Sequence, residues 1–67
     1  MKVYLRDSEL RHIMDCFYMD DDKISIIVQC KEIEIDYKEY EIISSKMFVQ
    51  DSGQDVFLDL FVKEIKE

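Results

Sequence analysis

The sequence contains no proline, tryptophan, alanine, asparagine or threonine, and only one glycine and one histidine among its 67 residues. Each shortage removes a class of chemistry. With Gly53 alone there is no glycine-rich loop to cradle a phosphate and no nucleophilic serine held in a strained turn between glycines. His12 has no second histidine with which to build a metal set. Cys16 and Cys30 form no C-x-x-C pair and follow no leader segment, so both are expected as free thiols in a reducing, cytoplasmic setting. No stretch approaches the roughly 18 apolar residues of a membrane helix, and no membrane partner is expected.

Hydrophobic residues make up 48% of the chain and charged ones 37%, enough apolar material for a core and too much for disorder by composition. One domain, 1–67, is expected. At this length a lone core supplies about 3–5 kcal/mol, so help from a partner subunit is expected as well. Sixteen acids against nine bases give a net charge of −7, which disfavours nucleic-acid phosphates and anionic lipids and favours a basic protein partner. The acids gather at Asp20–Asp22 and between Glu32 and Glu41.

Met1 to Arg6 alternates, with Val3 and Leu5 on one side and Lys2, Tyr4 and Arg6 on the other, as in a short strand. Asp7 and Ser8 suit a helix N-cap, and Leu10, Ile13, Met14 and Phe17 follow at helical spacing. This predicts one amphipathic helix that stops at the Asp20–Asp22 run. From Ile24 the period is two, but the apolar parity switches between Cys30 and Ile33, and again between Ile42 and Met47. A turn at Asp36–Glu39 would set the two switches opposite each other, pairing Ile35 with Tyr40, Ile33 with Ile42, Val28 with Met47 and Ile26 with Val49. The same register sets Glu34 against Glu41, a destabilising like-charge pair. Asp51–Gln54 is the clearest turn. Residues 55–65 fit either a strand or a helical stripe; β-branched and aromatic content favours the strand, with Phe48 facing Phe57 and Val49 facing Val56. The fold class expected is α+β, in the order β-α-β-β-β, with one amphipathic helix on a twisted, mainly antiparallel sheet.

One helix cannot cover both faces of such a sheet. Ile27, Ile33, Ile35, Ile42, Phe48, Phe57, Phe61 and Ile65 are therefore expected at an oligomer interface, with a homodimer the commonest solution. Chemistry is sparse. Glu9, His12 and Cys16 would share a helix face, yet further metal ligands and oxyanion donors are missing, and Asp20–Asp22 lacks the glycine of a calcium loop. No catalytic residue, metal or cofactor is expected, and aromatic platforms for nucleic acid lack basic flanks. The function expected is a small acidic protein-binding regulator or inhibitor. Its composition is similar in profile to phage and mobile-element accessory proteins, including antagonists of host defence. Glu32, Glu34, Asp36, Glu39 and Glu41, with Tyr37 and Tyr40, are the residues expected to bind the partner. The alternative is a small-ligand-binding homo-oligomer with its site in the dimer cleft.

Overall fold

Alternation sets the first element, a strand β1 (Lys2–Asp7) that buries Val3 and Leu5 and turns Lys2, Tyr4 and Arg6 the other way. The chain then reverses into a second strand, β2 (Ile13–Tyr18), where a helix was expected. The computed structural model describes residues 1–66 and adds a seven-residue helix α1 (Asp21–Ile27), strands β3 (Glu32–Ile35) and β4 (Lys38–Gln50), a short 3-10 turn at Asp51–Gly53 and strand β5 (Asp55–Glu64). The five strands form one curled mixed sheet in the order β2-β1-β5-β4-β3, antiparallel except where β1 runs beside β5. The class is α+β, and residues 55–64 are strand. The element order is β-β-α-β-β-β.

The helical spacing of Leu10, Ile13, Met14 and Phe17 has a different cause. β1 pairs with β2 as Val3 to Phe17 and Leu5 to Asp15, but Arg6 pairs with Ile13, so Met14 is an extra, bulged residue. A bulge shifts the phase of an alternating strand by one, and a phase-shifted strand imitates a helical stripe. Asp7, expected as a helix N-cap, caps the reverse turn instead. Its Oδ1 accepts the N–H groups of Glu9 and Leu10, each at 2.8 Å, and its carbonyl accepts the Arg11 N–H at 2.8 Å. N-caps and Asx turns share one interaction, so the residue type alone does not separate them. These hydrogen bonds, Leu10 first and Glu9 second, hold the Asp7 carboxyl below the ordinary aspartate range. Asp7 therefore contributes stability fully above the unfolded-state value near pH 4 and loses it as pH falls through the lowered folded-state value. Urea midpoints measured against pH should show Asp7→Ala below the native protein at neutral pH and converging with it in acid.

The helix falls on the segment expected to be a strand. Ile24 and Ile27 are buried at i, i+3, while Ile26 and Val28, which an alternating strand would have sent inward with Ile24, are exposed. Asp21 and Asp22 occupy the first helical turn, where the dipole favours anions; the acidic run begins a helix and does not end one. The helix crosses the sheet face that carries Val3, Leu5, Leu58, Leu60 and Val62, and Met1, Phe17, Met19, Ile33, Ile35 and Ile42 close the edges of this core. It is too short to reach the far end of the β4–β5 hairpin, where Met47 and Val49 stay exposed on the same face. No helix among the described residues is long and apolar enough to cross a membrane.

The β4–β5 register matches expectation from Met47–Leu58 through Phe48–Phe57 to Val49–Val56. Ser44 faces Phe61 but Ile42 faces Val62, so Ile43 is a second bulged residue and the source of the parity switch in β4. The switch between Cys30 and Ile33 is the passage from helix to strand. The β3–β4 turn is tighter than expected, two residues, Asp36 and Tyr37, both at positive φ (50° and 68°). Ile33 consequently pairs with Tyr40, and the like-charge pairs are Glu32 with Glu41 and Glu34 with Glu39. The shift is two residues, which keeps the same residues of β3 and β4 together on one face, but the Ile43 bulge makes this the core face where the outer one was expected.

Candidate functional site

Strand parity and the two bulges distribute the side chains between an inner face, under α1, and an outer face. The outer face is built in rows. Tyr18, Lys2, Phe57 and Phe48 lie side by side across β2, β1, β5 and β4, followed by Cys16, Tyr4, Asp59 and Lys46, then Ile13, Arg6, Phe61 and Ser44. Beyond the Ile43 bulge come Lys63, Glu41 and Glu32, and after them Glu39 and Glu34.

The aromatic end of this face is closed by its own cations. Phe48 stacks on Phe57 at 4.7 Å, and Tyr4 meets Phe57 edge-on at 5.5 Å. The Lys46 ammonium lies 4.9 Å from the Phe48 ring centre, Lys2 lies 5.2 Å from Tyr4, and the Arg11 guanidinium covers Phe61 at 4.6 Å. The Lys2 ammonium is held above the ordinary lysine range, first by the polar Tyr4 side chain beside it and then by the neighbouring Cys16 and Tyr18 side chains. In the middle sits an ion pair. Arg6 Nε donates to Asp59 Oδ2 at 2.8 Å, and Arg6 Nη1 donates to the Arg11 carbonyl at 2.9 Å, which ties the β1–β2 loop to the sheet. Asp59 is 3% exposed, and its Oδ1 has no partner among the described residues. Sequence reasoning missed this group. The parallel β1–β5 pairing that creates it has no local signature, although the Lys2, Tyr4, Arg6 alternation was a visible trace of it.

The residues expected to bind a partner separate into two sets. Glu32, Glu34, Asp36, Tyr37, Glu39 and Glu41 are all exposed at the β3–β4 hairpin. Tyr40 is not with them; it is buried opposite Ile33, because its parity places it on the inner face. The residues expected at an oligomer interface also divide. Ile27, Ile33, Ile35 and Ile42 belong to or pack against the core, since the helix crosses the face they occupy. Phe48, Phe57 and Phe61 are on the outer face as expected, with Phe48 and Phe57 half-buried, and Phe61 is already 8% exposed beneath Arg11. Ile65 is half-buried beside Glu39, whose carbonyl accepts its N–H at 2.9 Å.

Glu9, His12 and Cys16 lose their common helix face: the first two lie in the β1–β2 loop and Cys16 lies in β2 opposite Tyr4. Among the described residues no group of three or more His, Cys, Asp or Glu gathers as a metal set. An open groove of about 700 Å³ at the end of the sheet is lined by Met14, Tyr40, Lys38, Lys63 and Lys66, with Asp7, Glu9 and Glu64 beside the lysines. No family model, curated protein or solved structure matches the chain.

Proposed function

We propose that this protein is a small acidic protein-binding regulator, acting by docking the β3–β4 hairpin onto the basic surface of a larger protein. Tyr37 carries the reading. It is 96% exposed and sits at φ 68° in a turn whose geometry favours glycine at that position, so a large aromatic ring is held in solvent at a conformational cost. Around it stand two like-charge glutamate pairs, Glu32 with Glu41 and Glu34 with Glu39, which weaken the ladder they belong to. Lys63 lies opposite Glu41 on β5, yet no cation of the described residues comes within ion-pair distance of any of the four. An aromatic anchor ringed by carboxylates is the arrangement that meets a basic, apolar-centred patch, and residues that cost stability without packing are retained for contacts outside the chain. The reducing cytoplasm suits the exposed free thiols of Cys16 and Cys30. An inhibitor of a host enzyme, acting through this hairpin, is the specific form we favour.

Stability and binding should move in opposite directions. Tyr37→Gly is expected to raise stability by about 0.5–1 kcal/mol by relieving the left-handed strain. Replacing Glu32, Glu34, Glu39 and Glu41 together by Gln should raise it by a similar amount, about 0.5–1 kcal/mol, by removing the like-charge pairs. In affinity capture from the native host, the unmodified chain should retain a basic protein that salt releases. Both variants should lose it while melting higher. Equal capture by the native chain and the two variants would end this reading, as would a retained protein without a basic surface.

A further inference from the structure

We infer that the outer face is a self-complementary interface, on which a second copy of this chain docks about a two-fold axis lying in the interface plane and running across the strands. The observation is the distribution of charge along one face of a chain whose overall charge is −7. The aromatic rows carry Lys2, Arg6, Lys46 and the overlying Arg11 against the carboxylate of Asp59, with Asp55 one row further out on the same face. The rows beyond the Ile43 bulge carry Glu32, Glu34, Glu39 and Glu41 against the single ammonium of Lys63. The two ends are opposite in the sign of their formal charge.

Such a face has one low-energy way to meet itself. A two-fold axis parallel to the strands keeps each row at the same level as that row of the other copy, so the acidic rows never reach the basic ones. An axis across the strands, between the Phe61 row and the Lys63 row, reverses the strand direction of the second copy and keeps each strand over its own counterpart. Glu39 and Glu34 of each protomer, on β4 and β3, then lie over and beside Lys46 on β4 of the other, twice by symmetry, while Lys2 and Arg6 on β1 add to the positive potential of that end. The centre of the contact falls near Phe61 and Arg11, and the half-buried Phe57 and Phe48 add apolar area toward the basic end. A standard interface takes about 800 Å² from each partner, and the two longer dimensions of the molecule, 43 and 25 Å, bound a face of sufficient extent.

The self-contact engages the same four glutamates as the partner reading above, so a second copy and a basic partner would compete for them; the basic rows belong to the self-contact alone, and its test uses purified chain alone. Sedimentation equilibrium of the native protein should give a dimer at about 0.1 M salt that weakens at least about tenfold toward 1 M, as the Debye length contracts from about 10 to about 3 Å. Two charge-reversed variants then decide the geometry. Lys2→Glu with Lys46→Glu makes the face acidic at both ends, and Glu34→Lys with Glu39→Lys makes it basic at both ends; each alone should be monomeric with an unchanged circular dichroism spectrum. An equimolar mixture should form a one-to-one heterodimer, because each end then meets its opposite across the axis. A native chain that is monomeric at submillimolar concentration in low salt would overturn the inference, as would association that persists undiminished in high salt. So would two folded variants that fail to associate when mixed.

Discussion

Arg6→Ala should cost about 2–4 kcal/mol and leave little of the cooperative unfolding transition at physiological temperature. Asp59 is held at 3% exposure between Phe57 and Phe61, and among the described residues Arg6 is its single hydrogen-bonding partner. Removing the guanidinium strands a buried carboxylate, and the whole stability of a domain this short is about 3–10 kcal/mol by size alone. The same substitution releases the Arg11 carbonyl, so the β1–β2 loop loosens and the cation over Phe61 is lost with it. Asp59→Leu should cost less, because the Arg6 side chain is partly exposed and can turn to water. Arg6→Met combined with Asp59→Leu should recover to within about 1 kcal/mol of the native protein or exceed it, since the unpartnered Oδ1 shows that the pair is incompletely compensated. Urea denaturation of the four proteins forms the double-mutant cycle. The pair's contribution is then one of register: Asp59 is the only charged residue in the buried run Leu58–Val62, and a one-residue slip of β5 would drive it into the core beside Val3 and Leu5. Broadened amide resonances in the double variant, with stability unchanged, are the expected signature.

The same parity logic shows what could be read in advance. The β4–β5 ladder was legible because Gly53, at φ 93°, marks its turn and the strands on either side alternate cleanly near it. The β3–β4 pairing was legible in which residues share a face but not in register or in which side of the sheet that face is: Asp36 and Tyr37 form a two-residue turn without the glycine or asparagine that normally announces one, and the Ile43 bulge returns Ile33, Ile35 and Ile42 to the core side. The helix was misplaced for two physical reasons that reinforce each other. The Met14 bulge gave β2 a helical stripe, and the β-branched run from Ile24 gave α1 a strand-like alternation, although only Ile24 and Ile27 are buried. Of the candidate site, the exposed carboxylates and Tyr37 followed from composition and the hairpin. The cation-covered outer face did not, because net charge averages over both ends of it and the parallel β1–β5 contact joins residues more than fifty positions apart.

Deleting Ile43 should leave the fold standing, and Ile43→Ser should change stability by no more than about 1 kcal/mol. The side chain itself does little, being 51% exposed, but the residue supplies the extra step that lets one strand serve two phases. On the Gln50 side of the bulge, Met47 faces inward with Leu58 and Phe48 faces outward with Phe57; on the Lys38 side, Ile42 and Tyr40 face inward with Val62 and Glu64, and Glu41 faces outward with Lys63. Without Ile43 these two sets become consecutive rungs of one regular ladder, because Phe61 and Val62 are themselves adjacent and Ile42 would then be followed directly by Ser44. Tyr40, Ile42 and Met47 stay inward, and Glu39, Glu41, Lys46 and Phe48 stay outward. What the deletion removes is the local bend and extra twist of a bulged strand. Circular dichroism and one-dimensional proton NMR should therefore show a folded deletion variant, with shifts confined to the neighbours of the bulge. Ile43→Ser should give the native spectrum. A deletion variant that unfolded would mean that the curl of the sheet at Ile43, and not the pairing register, holds β4 against the core. The separation of glutamates from cations on the outer face is a property of the register, so it should survive the deletion together with the inferred two-fold contact.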